Sequence, residues 1–221
     1  MLQRRRRRRR RQRRRREVGR GGYGIVYKAT YQQSEVAVKI FEPKKRTGEG
    51  DLDFDHIVSL FQSEASIIAR LRHPNILQFI GACARPELLA IVTTYYSLGS
   101  LTQALYSSAK LLSGEHGRPM LPVPSRKNKR KRTFFLGWKE CIKAALGTAR
   151  GLSYLHGFSL GGDDKQSNNI IHHDLKSGNI LLNHDYEGVV ADFGFTALKQ
   201  NLSNKRYGGT IKYMAPERIL G

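Results

Sequence analysis

The chain has 221 residues, little cysteine and no long apolar run. Its two cysteines, Cys83 and Cys141, cannot build a disulfide framework, so we expect a reducing compartment and core-filling roles for both. No apolar run approaches the roughly 18 residues that span a bilayer, and we recognise no signal peptide. These absences argue against a disulfide-rich secreted domain or an integral membrane segment, and we expect an intracellular protein.

The chain is also poor in acidic residues, with 18 Asp and Glu against 39 Lys and Arg and a net charge of +21. Two runs, an arginine tail ending at residue 16 and a basic run over 126–132, carry most of this excess, and the rest is close to balanced. Both runs are too charged to fold alone, so we expect solvated segments. Non-specific polyanion binding, nuclear targeting and contact with anionic lipids are the alternatives for them. No interleaved aromatic residues are present to stack bases, which disfavours specific nucleic-acid recognition.

What the chain does contain is an ordered series of six short motifs. They are G-R-G-G-Y-G-I-V at Gly19 to Val26, A-V-K at Ala37 to Lys39, Glu64 within a helical pattern, H-H-D-L-K-S-G-N at His172 to Asn179, D-F-G at Asp192 to Gly194 and A-P-E at Ala215 to Glu217. Each motif is common by chance. All six in this order resemble the signature set of protein kinases.

The first motif is a glycine-rich turn between two predicted strands. Residues 25–31, which follow Gly24, are rich in β-branched and aromatic side chains, whereas in dinucleotide-binding folds the glycines precede a helix. Alone, this turn is as compatible with an ordinary hairpin as with a phosphate-binding loop. Lys39 in the next predicted strand, residues 35–41, favours a loop whose backbone folds over nucleotide phosphates.

Glu64 lies in a predicted helix over residues 57–71. One apolar face of this helix is marked by Leu60, Ile67, Ile68 and Leu71. A solvated glutamate is the usual case on a helix. A carboxylate on an apolar face needs a partner, however, and the motif set implies an ion pair between Glu64 and Lys39.

The motifs at 172–179 and 192–194 predict the reaction centre. Asp174 is placed to accept the proton of an attacking hydroxyl, and Asn179 and Asp192 offer hard oxygens to Mg²⁺. Lys176 is typical of serine/threonine kinases. An isolated H-x-D would be read as a loop aspartate that caps a turn. Here a predicted hairpin, with strands around 180–182 and 189–190, would bring Asp174 and Asp192 into one cleft.

The resemblance implies an α+β, protein-kinase-like two-lobe fold. A disordered polyarginine tail over 1–16 would precede a small antiparallel β lobe and hinge over 17–96. An incomplete, mainly α large lobe would follow over 97–221, with a basic loop insertion near 108–132. Predicted strands are 18–31, 35–41, 77–82 and 89–94, and predicted helices begin at Ser100 and cover 138–156, with core-facing Ile142, Ala145, Ala149 and Leu152.

The resemblance also implies cofactors and site residues. The cofactors are ATP and Mg²⁺, with Mn²⁺ as an alternative metal, and Thr93 precedes the hinge as gatekeeper. The implied catalytic residues are Asp174, Lys176 and Asn179, and the implied metal ligands are Asn179 and Asp192. The implied ATP-binding residues are Val18, Gly19, Gly21, Gly24, Val26, Ala37, Lys39, Glu64, Thr94, Tyr96 and Leu181.

Longer strings narrow the resemblance within 17–221. They are E-V-A-V-K-I-F, R-H-P-N-I-L-Q-F-I-G-A, A-R-G-L-S-Y-L-H and G-G-T-I-K-Y-M-A-P-E, with a hydrophilic insertion over 157–169. They resemble type II receptor serine/threonine kinases of the TGF-β superfamily, the BMP type II receptors above all. That resemblance implies that the protein acts at the cytoplasmic face of the plasma membrane. It also implies that the protein substrate is a type I receptor-like kinase. Parts of these strings also occur in soluble serine/threonine kinases of the tyrosine-kinase-like group, which stay as an alternative.

Three departures from the kinase pattern bear on activity. His173 replaces the arginine of H-R-D, Phe195 replaces the more frequent leucine, and the chain ends four residues after Glu217. In the family that the chain resembles, further helices support the activation segment, so we expect residues 1–221 alone to be poorly stable and inactive. A catalytically incompetent, kinase-like binding module is therefore the second function class.

His173 also bears on regulation. Without a permanent cation at this position, no group receives an activation-segment phosphate at neutral pH. We therefore expect little dependence of activity on phosphorylation of Thr196, Ser203, Tyr207 or Thr210. The Thr210 hydroxyl is instead expected to bridge Asp174 and Lys176.

Overall fold

A computed structural model describes residues 16–21, 24–42, 54–112, 136–157, 170–194, 196–198 and 210–220. The chain divides into two compact units, residues 1–72 with 77–95 and residues 73–76 with 96–221. The arginine tail before residue 16, the basic run, the insertion over 158–169, Phe195, Ser203 and Tyr207 lie outside the described residues. No helix in the described ranges is long and apolar enough to cross a membrane.

The first unit contains a five-stranded antiparallel sheet. Its strands are β1 (Arg16–Gly21), β2 (Gly24–Tyr31), β3 (Ser34–Phe41), β4 (Phe79–Arg85) and β5 (Leu88–Thr94), in the order β1-β2-β3-β5-β4. The two strands predicted on either side of the glycine-rich turn within 18–31 are β1 and β2, and they pair antiparallel. β4 begins later than predicted. β1 lies at an edge of the sheet, where its charged side chains stay exposed.

One helix, α1 (Phe54–Ile68), packs on this sheet. Ile57 and Phe61 of α1 form a buried cluster with Phe41, Leu89 and Ile91, and the rings of Phe41 and Phe61 meet edge to face at 5.5 Å. The buried face of α1 is displaced from the apolar face that the sequence predicts. The buried side chains of α1 are Ile57, Phe61, Glu64 and Ile68, whereas Leu60 and Ile67 are half-buried and Leu71 follows the end of the helix. A buried glutamate at the centre of the face explains why hydrophobicity alone misplaced it.

The second unit combines helices with short strands. Its helices are α2 (Leu101–Leu112), α3 (Trp138–Gly157) and α4 (Pro216–Leu220), and its strands are β6 (Ile170–Ile171), β7 (Ile180–Leu182), β8 (Gly188–Val190) and β9 (Ala197–Leu198). β7 and β8 form the predicted antiparallel hairpin, and β6 pairs with β9. Because α2 continues to Leu112, the first residues of the predicted insertion near 108–132 are helical. Together the two units confirm the predicted α+β class.

The buried face of α3 differs from the predicted one. Ile142, Ala145 and Ala149 are exposed, and the buried residues are Ala144, Gly147, Gly151 and Leu155. A Cβ on Gly147 would lie 2.6 Å from the Gly188 nitrogen, and one on Gly151 would lie 2.5 Å from the Asn75 carbonyl oxygen. The two glycines therefore let the helix backbone approach β8, a form of packing that apolar periodicity does not detect.

Candidate active site

The sheet register of the first unit places several predicted ATP-binding residues on one face. Gly19 pairs with Val26, and Val26 pairs with Lys39. Ala37 lies two residues before Lys39 on the same strand. Directly paired residues and alternate residues of a strand share a face. Phe41, the next residue on this face of β3, packs against α1, so these residues share the face of the sheet that the helix covers.

That packing brings Lys39 and Glu64 together. The Lys39 ammonium donates to both carboxylate oxygens of Glu64, at 2.8 and 2.7 Å. Glu64 is only 5% exposed because it belongs to the buried face of α1. The predicted ion pair is therefore confirmed. It holds a positive charge at a fixed place on the sheet.

The glycines of the turn serve different purposes. A Cβ on Gly24 would collide with the Ile40 carbonyl oxygen, so this glycine is required by the close pairing of β2 and β3. At Gly21 an added Cβ would meet nothing within 4 Å, which leaves open space beside the backbone. Val18 lies at the irregularity between Glu17 and Gly19. Of the three predicted glycines, Gly21 therefore fits the approach of a phosphate.

The hinge candidates divide between the two faces of the sheet. Thr93 is buried and pairs with Ala37, on the face of Lys39. Thr94 pairs with Val36, so its side chain lies on the opposite face, and its N–H donates to the Gln78 carbonyl oxygen at 3.0 Å. Tyr96 belongs to the second unit, and burial raises the pKa of its hydroxyl. The Thr94 side chain therefore lies on the face opposite Lys39, so Thr94 would contact a ligand beside Lys39 through its backbone groups.

In the second unit, Asp174 accepts hydrogen bonds on both of its carboxylate oxygens. Oδ1 accepts from the Thr210 backbone N–H at 2.9 Å and from its hydroxyl at 2.7 Å. Oδ2 accepts from the Lys176 ammonium at 2.6 Å and from the Asn179 amide nitrogen at 3.0 Å. Lys176 also donates to the Thr210 hydroxyl at 2.7 Å, so the predicted bridge is confirmed. We call Asp174, Lys176, Asn179 and Thr210 the Asp174 cluster.

The electrostatics of the cluster favour an ionised aspartate. Burial alone would raise the pKa of Asp174, but the hydrogen bonds from Lys176 and Thr210 outweigh it and hold the pKa below its usual value. The carboxylate is therefore charged at neutral pH, and its orientation is determined by four donors.

His172, to which the sequence analysis assigned no role, fixes the backbone beneath this carboxylate. Its Nδ1 accepts from the Asp174 N–H at 3.3 Å, and its Nε2 lies 3.0 Å from the Ala191 carbonyl oxygen. Burial lowers the pKa of His172, which favours a neutral ring that donates from Nε2 to Ala191. Its place at the start of an H-x-D string was the signal that could have identified it.

The backbone is unusual at two neighbouring positions. His173 and Asp192 have φ angles of 62° and 67°, in the left-handed region that non-glycine residues rarely adopt. Such conformations persist where surrounding contacts determine them, and they cluster at functional sites. The Ala191 N–H donates to the Asn179 carbonyl oxygen at 2.9 Å, so the residue before Asp192 is bonded to the loop that follows His173.

That bond places the predicted metal ligands on adjoining segments. Asn179 uses its amide nitrogen to donate to Asp174, and its side-chain oxygen takes no part in those bonds. Asp192 follows Ala191 directly. Within the described ranges, no group of three or more His, Cys, Asp or Glu could hold a metal by itself. The donor set of one amide and one carboxylate oxygen fits Mg²⁺, which keeps waters and substrate phosphates as further ligands.

A buried asparagine and the β7–β8 hairpin support these segments. The Asn75 side chain donates to the Gly188 carbonyl oxygen at 3.0 Å, and the Asn75 backbone carbonyl oxygen accepts from the Val190 N–H at 2.9 Å. Leu181, a predicted ATP-binding residue, is half-buried in β7 and pairs with Val189. The hairpin is thereby held in place on the side that leads to Asp192.

The chain is similar to known proteins over most of its length. Residues 12–221 match the family described as the protein kinase domain. The chain belongs to the protein kinase family. It is 35% identical to the probable serine/threonine-protein kinase SIS8 of Arabidopsis thaliana, over 90% of this chain and 16% of that protein. It is 36% identical to the serine/threonine-protein kinase CTR1 of the same plant, over 91% of this chain and 20% of that protein.

A third relative is the serine/threonine/tyrosine-protein kinase HT1 of Arabidopsis thaliana, 33% identical over 90% of this chain and 42% of that protein. The kinase chain thus spans less than half the length of each of these relatives. Membership of a serine/threonine kinase family is supported by them.

Proposed function

We propose that this kinase transfers the γ-phosphoryl group of Mg·ATP to serine or threonine hydroxyls of a protein substrate. The observation that carries the proposal is the Asp174 cluster, in which an ionised carboxylate, an ammonium and a threonine hydroxyl lie within hydrogen-bond distance of one another. Phosphoryl transfer requires mainly positioning and charge neutralisation from the protein. The cluster supplies both.

In this proposal Asp174 acts chiefly by orientation. Its lowered pKa makes it a weak base, so it would direct the acceptor hydroxyl at the phosphorus and receive the proton only as the bond forms. The Thr210 hydroxyl already donates to Oδ1, and an acceptor hydroxyl would make the same kind of bond. Lys176, bonded to Oδ2, would keep a positive charge beside the transferring group.

The remaining residues would bind the nucleotide and the metal. Bound Mg·ATP supplies the phosphoryl group and a metal that neutralises its charge. Lys39, held by Glu64, would contact the nucleotide phosphates, and the open backbone at Gly21 would lie over them. Asn179 and Asp192 would offer oxygens to the metal. Gly21, Lys39 and Glu64 belong to the first unit, and Asn179 and Asp192 belong to the second unit.

We further propose that the chain belongs to the tyrosine-kinase-like group of serine/threonine kinases. The three relatives described above are plant kinases whose names specify serine/threonine or serine/threonine/tyrosine activity. A TGF-β superfamily type II receptor is the second candidate, because the longer strings resemble that family. In that case the kinase would act at the cytoplasmic face of the plasma membrane on a type I receptor-like kinase.

The test of the proposed chemistry is Asp174→Asn in a version of the domain extended past residue 221, because residues 1–221 alone are expected to be inactive. We expect turnover to fall by roughly 10²–10⁴-fold, while the shift in melting temperature that Mg·ATP produces is retained. Asp185→Asn is the matched control, because Asp185 is an exposed aspartate in the β7–β8 turn. Turnover that survives Asp174→Asn would contradict the mechanism. Nucleotide-induced stabilisation without turnover in any variant, the parent included, would favour the binding module.

A further inference from the structure

A row of three hydroxyl groups lies beside the Asp174 cluster. The Thr102 Oγ1 is 2.7 Å from the Ser177 Oγ, and the Ser177 Oγ is 3.3 Å from the Tyr213 hydroxyl. Thr102 belongs to the first turn of α2. Ser177 opens the 3₁₀ turn Ser177–Asn179, and Tyr213 closes the 3₁₀ turn Ile211–Tyr213. The row therefore connects three segments that are distant in sequence.

The first of these segments is firmly held. The Gly99 carbonyl oxygen accepts from the Leu182 N–H at 3.0 Å, and Ser100 forms a β-bridge with Leu181. Ser100 and Gln103 cap the start of α2 reciprocally, with bonds of 3.1 and 3.3 Å. The start of α2 is thus fixed to β7, and Thr102 offers Ser177 a stationary partner.

The third segment is a single turn with two attachments. The Tyr213 N–H donates to the Thr210 carbonyl oxygen at 2.8 Å, so residues 210–213 form one unit. Thr210 attaches one end to Asp174 and Lys176, and Tyr213 attaches the other end to Ser177. A turn held at one point can pivot about it, whereas two points fix its orientation. The Tyr213 side chain is 57% exposed, so apolar burial contributes little to the second attachment.

We propose that Ser177 is a positioning residue that, between Thr102 and Tyr213, orients the turn carrying Thr210 against Asp174. The inference rests on the proposed function in taking Asp174 as the group that receives the acceptor hydroxyl. The turn lies on the side of Asp174 from which Thr210 donates, and none of its residues is among those proposed to bind the nucleotide. Loss of the row therefore affects the acceptor step and spares nucleotide binding.

The first measurement is amide hydrogen exchange of the full chain, read by mass spectrometry over residues 210–214. Ser177→Ala and Tyr213→Phe each remove one hydroxyl from the row. We expect exchange there to accelerate about fivefold, the effect of losing one hydrogen bond. Because both variants break the same connection, the double variant should exchange no faster than either single variant. Ser177→Thr, which keeps a hydroxyl, should stay close to the parent.

The matched controls lie on α2. Ser107→Ala removes a hydroxyl that bonds the Gln103 carbonyl oxygen of its own helix, and Tyr106→Phe removes the hydroxyl of a 75% exposed tyrosine. Neither should change exchange over 210–214. Unchanged exchange in Ser177→Ala and Tyr213→Phe would overturn the proposal, and so would a segment that is already unprotected in the parent.

The second measurement is steady-state turnover, with a serine-containing protein substrate, of the version of the domain extended past residue 221. We expect kcat to fall about fivefold in Ser177→Ala and Tyr213→Phe, with the KM for ATP unchanged. A rise in the KM for ATP alone would contradict an acceptor-side role. An extended parent that does not turn over would count against the proposed function, whereas the exchange comparison would still decide whether Ser177 holds the turn.

Discussion

The Lys39–Glu64 pair and the Asp174 cluster hold their charges by different means. The pair joins a strand to a helix 25 residues away, and each charge is held by the other through two short contacts. The cluster gathers its members from two loop segments, and Asp174 accepts from four donors on three residues. The pair depends on regular packing, whereas the cluster depends on strained loop backbone and shared hydrogen bonds.

This difference determines how each arrangement should fail. Removal of one member of a nearly buried pair leaves a buried charge without the opposite charge that the pair supplied, which is costly. Removal of one donor from a shared network leaves the other donors in place, so the loss is smaller and is spread over the network. Two substitutions and one change of pH distinguish the expected failure of the pair from that of the cluster.

The largest effect is expected from Lys39→Met. It leaves the Glu64 carboxylate buried without its ammonium, so the free energy of unfolding of the first unit should fall by about 3–5 kcal/mol. Adding Glu64→Gln removes that charge, and the double variant should recover most of the stability without recovering turnover. Chemical denaturation and a kinase assay measure the two separately.

Lys28→Met is the matched control for that substitution. Lys28 lies on the adjacent strand, bonds Glu35 and stacks over the Tyr95 ring at 4.3 Å, with a partner that is more than half exposed. Its loss should cost far less stability. Equal losses in Lys39→Met and Lys28→Met would show that burial of Glu64 does not control the energetics.

A smaller effect is expected from Thr210→Val. The variant keeps the backbone donor to Asp174 and loses the hydroxyl that bonds Asp174 and Lys176. We expect turnover to fall about tenfold, the loss of one or two hydrogen bonds to charged groups, with nucleotide-induced stabilisation unchanged. Thr148→Val, which removes a bond to the Ala144 carbonyl oxygen within α3, should leave turnover unchanged. A complete loss in Thr210→Val would show that the cluster fails as the pair does.

The smallest effect is a pH dependence of stability in the second unit. The folded pKa of His172 lies below its usual value of 6.5, so the unfolded chain binds the additional proton first. The contribution of neutral His172 to the free energy of unfolding is complete above pH 6.5. It is lost as the pH falls from there towards the folded pKa of His172. The lowered pKa of Asp174 adds a loss in the same direction at lower pH, below its unfolded value of about 4.

Denaturation midpoints measured between pH 7 and pH 5 test this sign. His172→Gln should flatten the decline, although His73, whose pKa burial also lowers, keeps part of it. His184→Gln, at an exposed position of the β7–β8 turn, should leave the decline unchanged. Stability that rises as the pH falls through this window would refute the assignment of a neutral His172.

Several features of the fold and the site were predictable from sequence because local chemistry decides them. The β7–β8 hairpin follows from two short apolar runs separated by turn residues, and the capping of α2 follows from Ser100 and Gln103. The pair of Lys39 with Glu64 and the Thr210 bridge join distant segments, and both were predicted from the resemblance to protein kinases that the order of the motifs carries.

Other features were decided only by the tertiary structure. The buried face of α3 is lined by Gly147 and Gly151, whose value lies in the absence of a side chain against β8 and Asn75. Hydrophobic periodicity registers side chains that are present, so it selected Ile142, which is 48% exposed. The register of β3 with β5 places the Thr94 side chain on the face of the sheet opposite Lys39. Only the pairing of these two strands determines this orientation.

The row from Thr102 to Tyr213 shows the same division. Each hydroxyl is visible in the sequence, but the residues are separated by 75 and 36 positions, and no local pattern relates them. Sequence determines which groups can donate, accept or carry charge, because those properties belong to single residues. Contacts between distant segments depend on how strands pair and helices pack, and only the folded chain decides them.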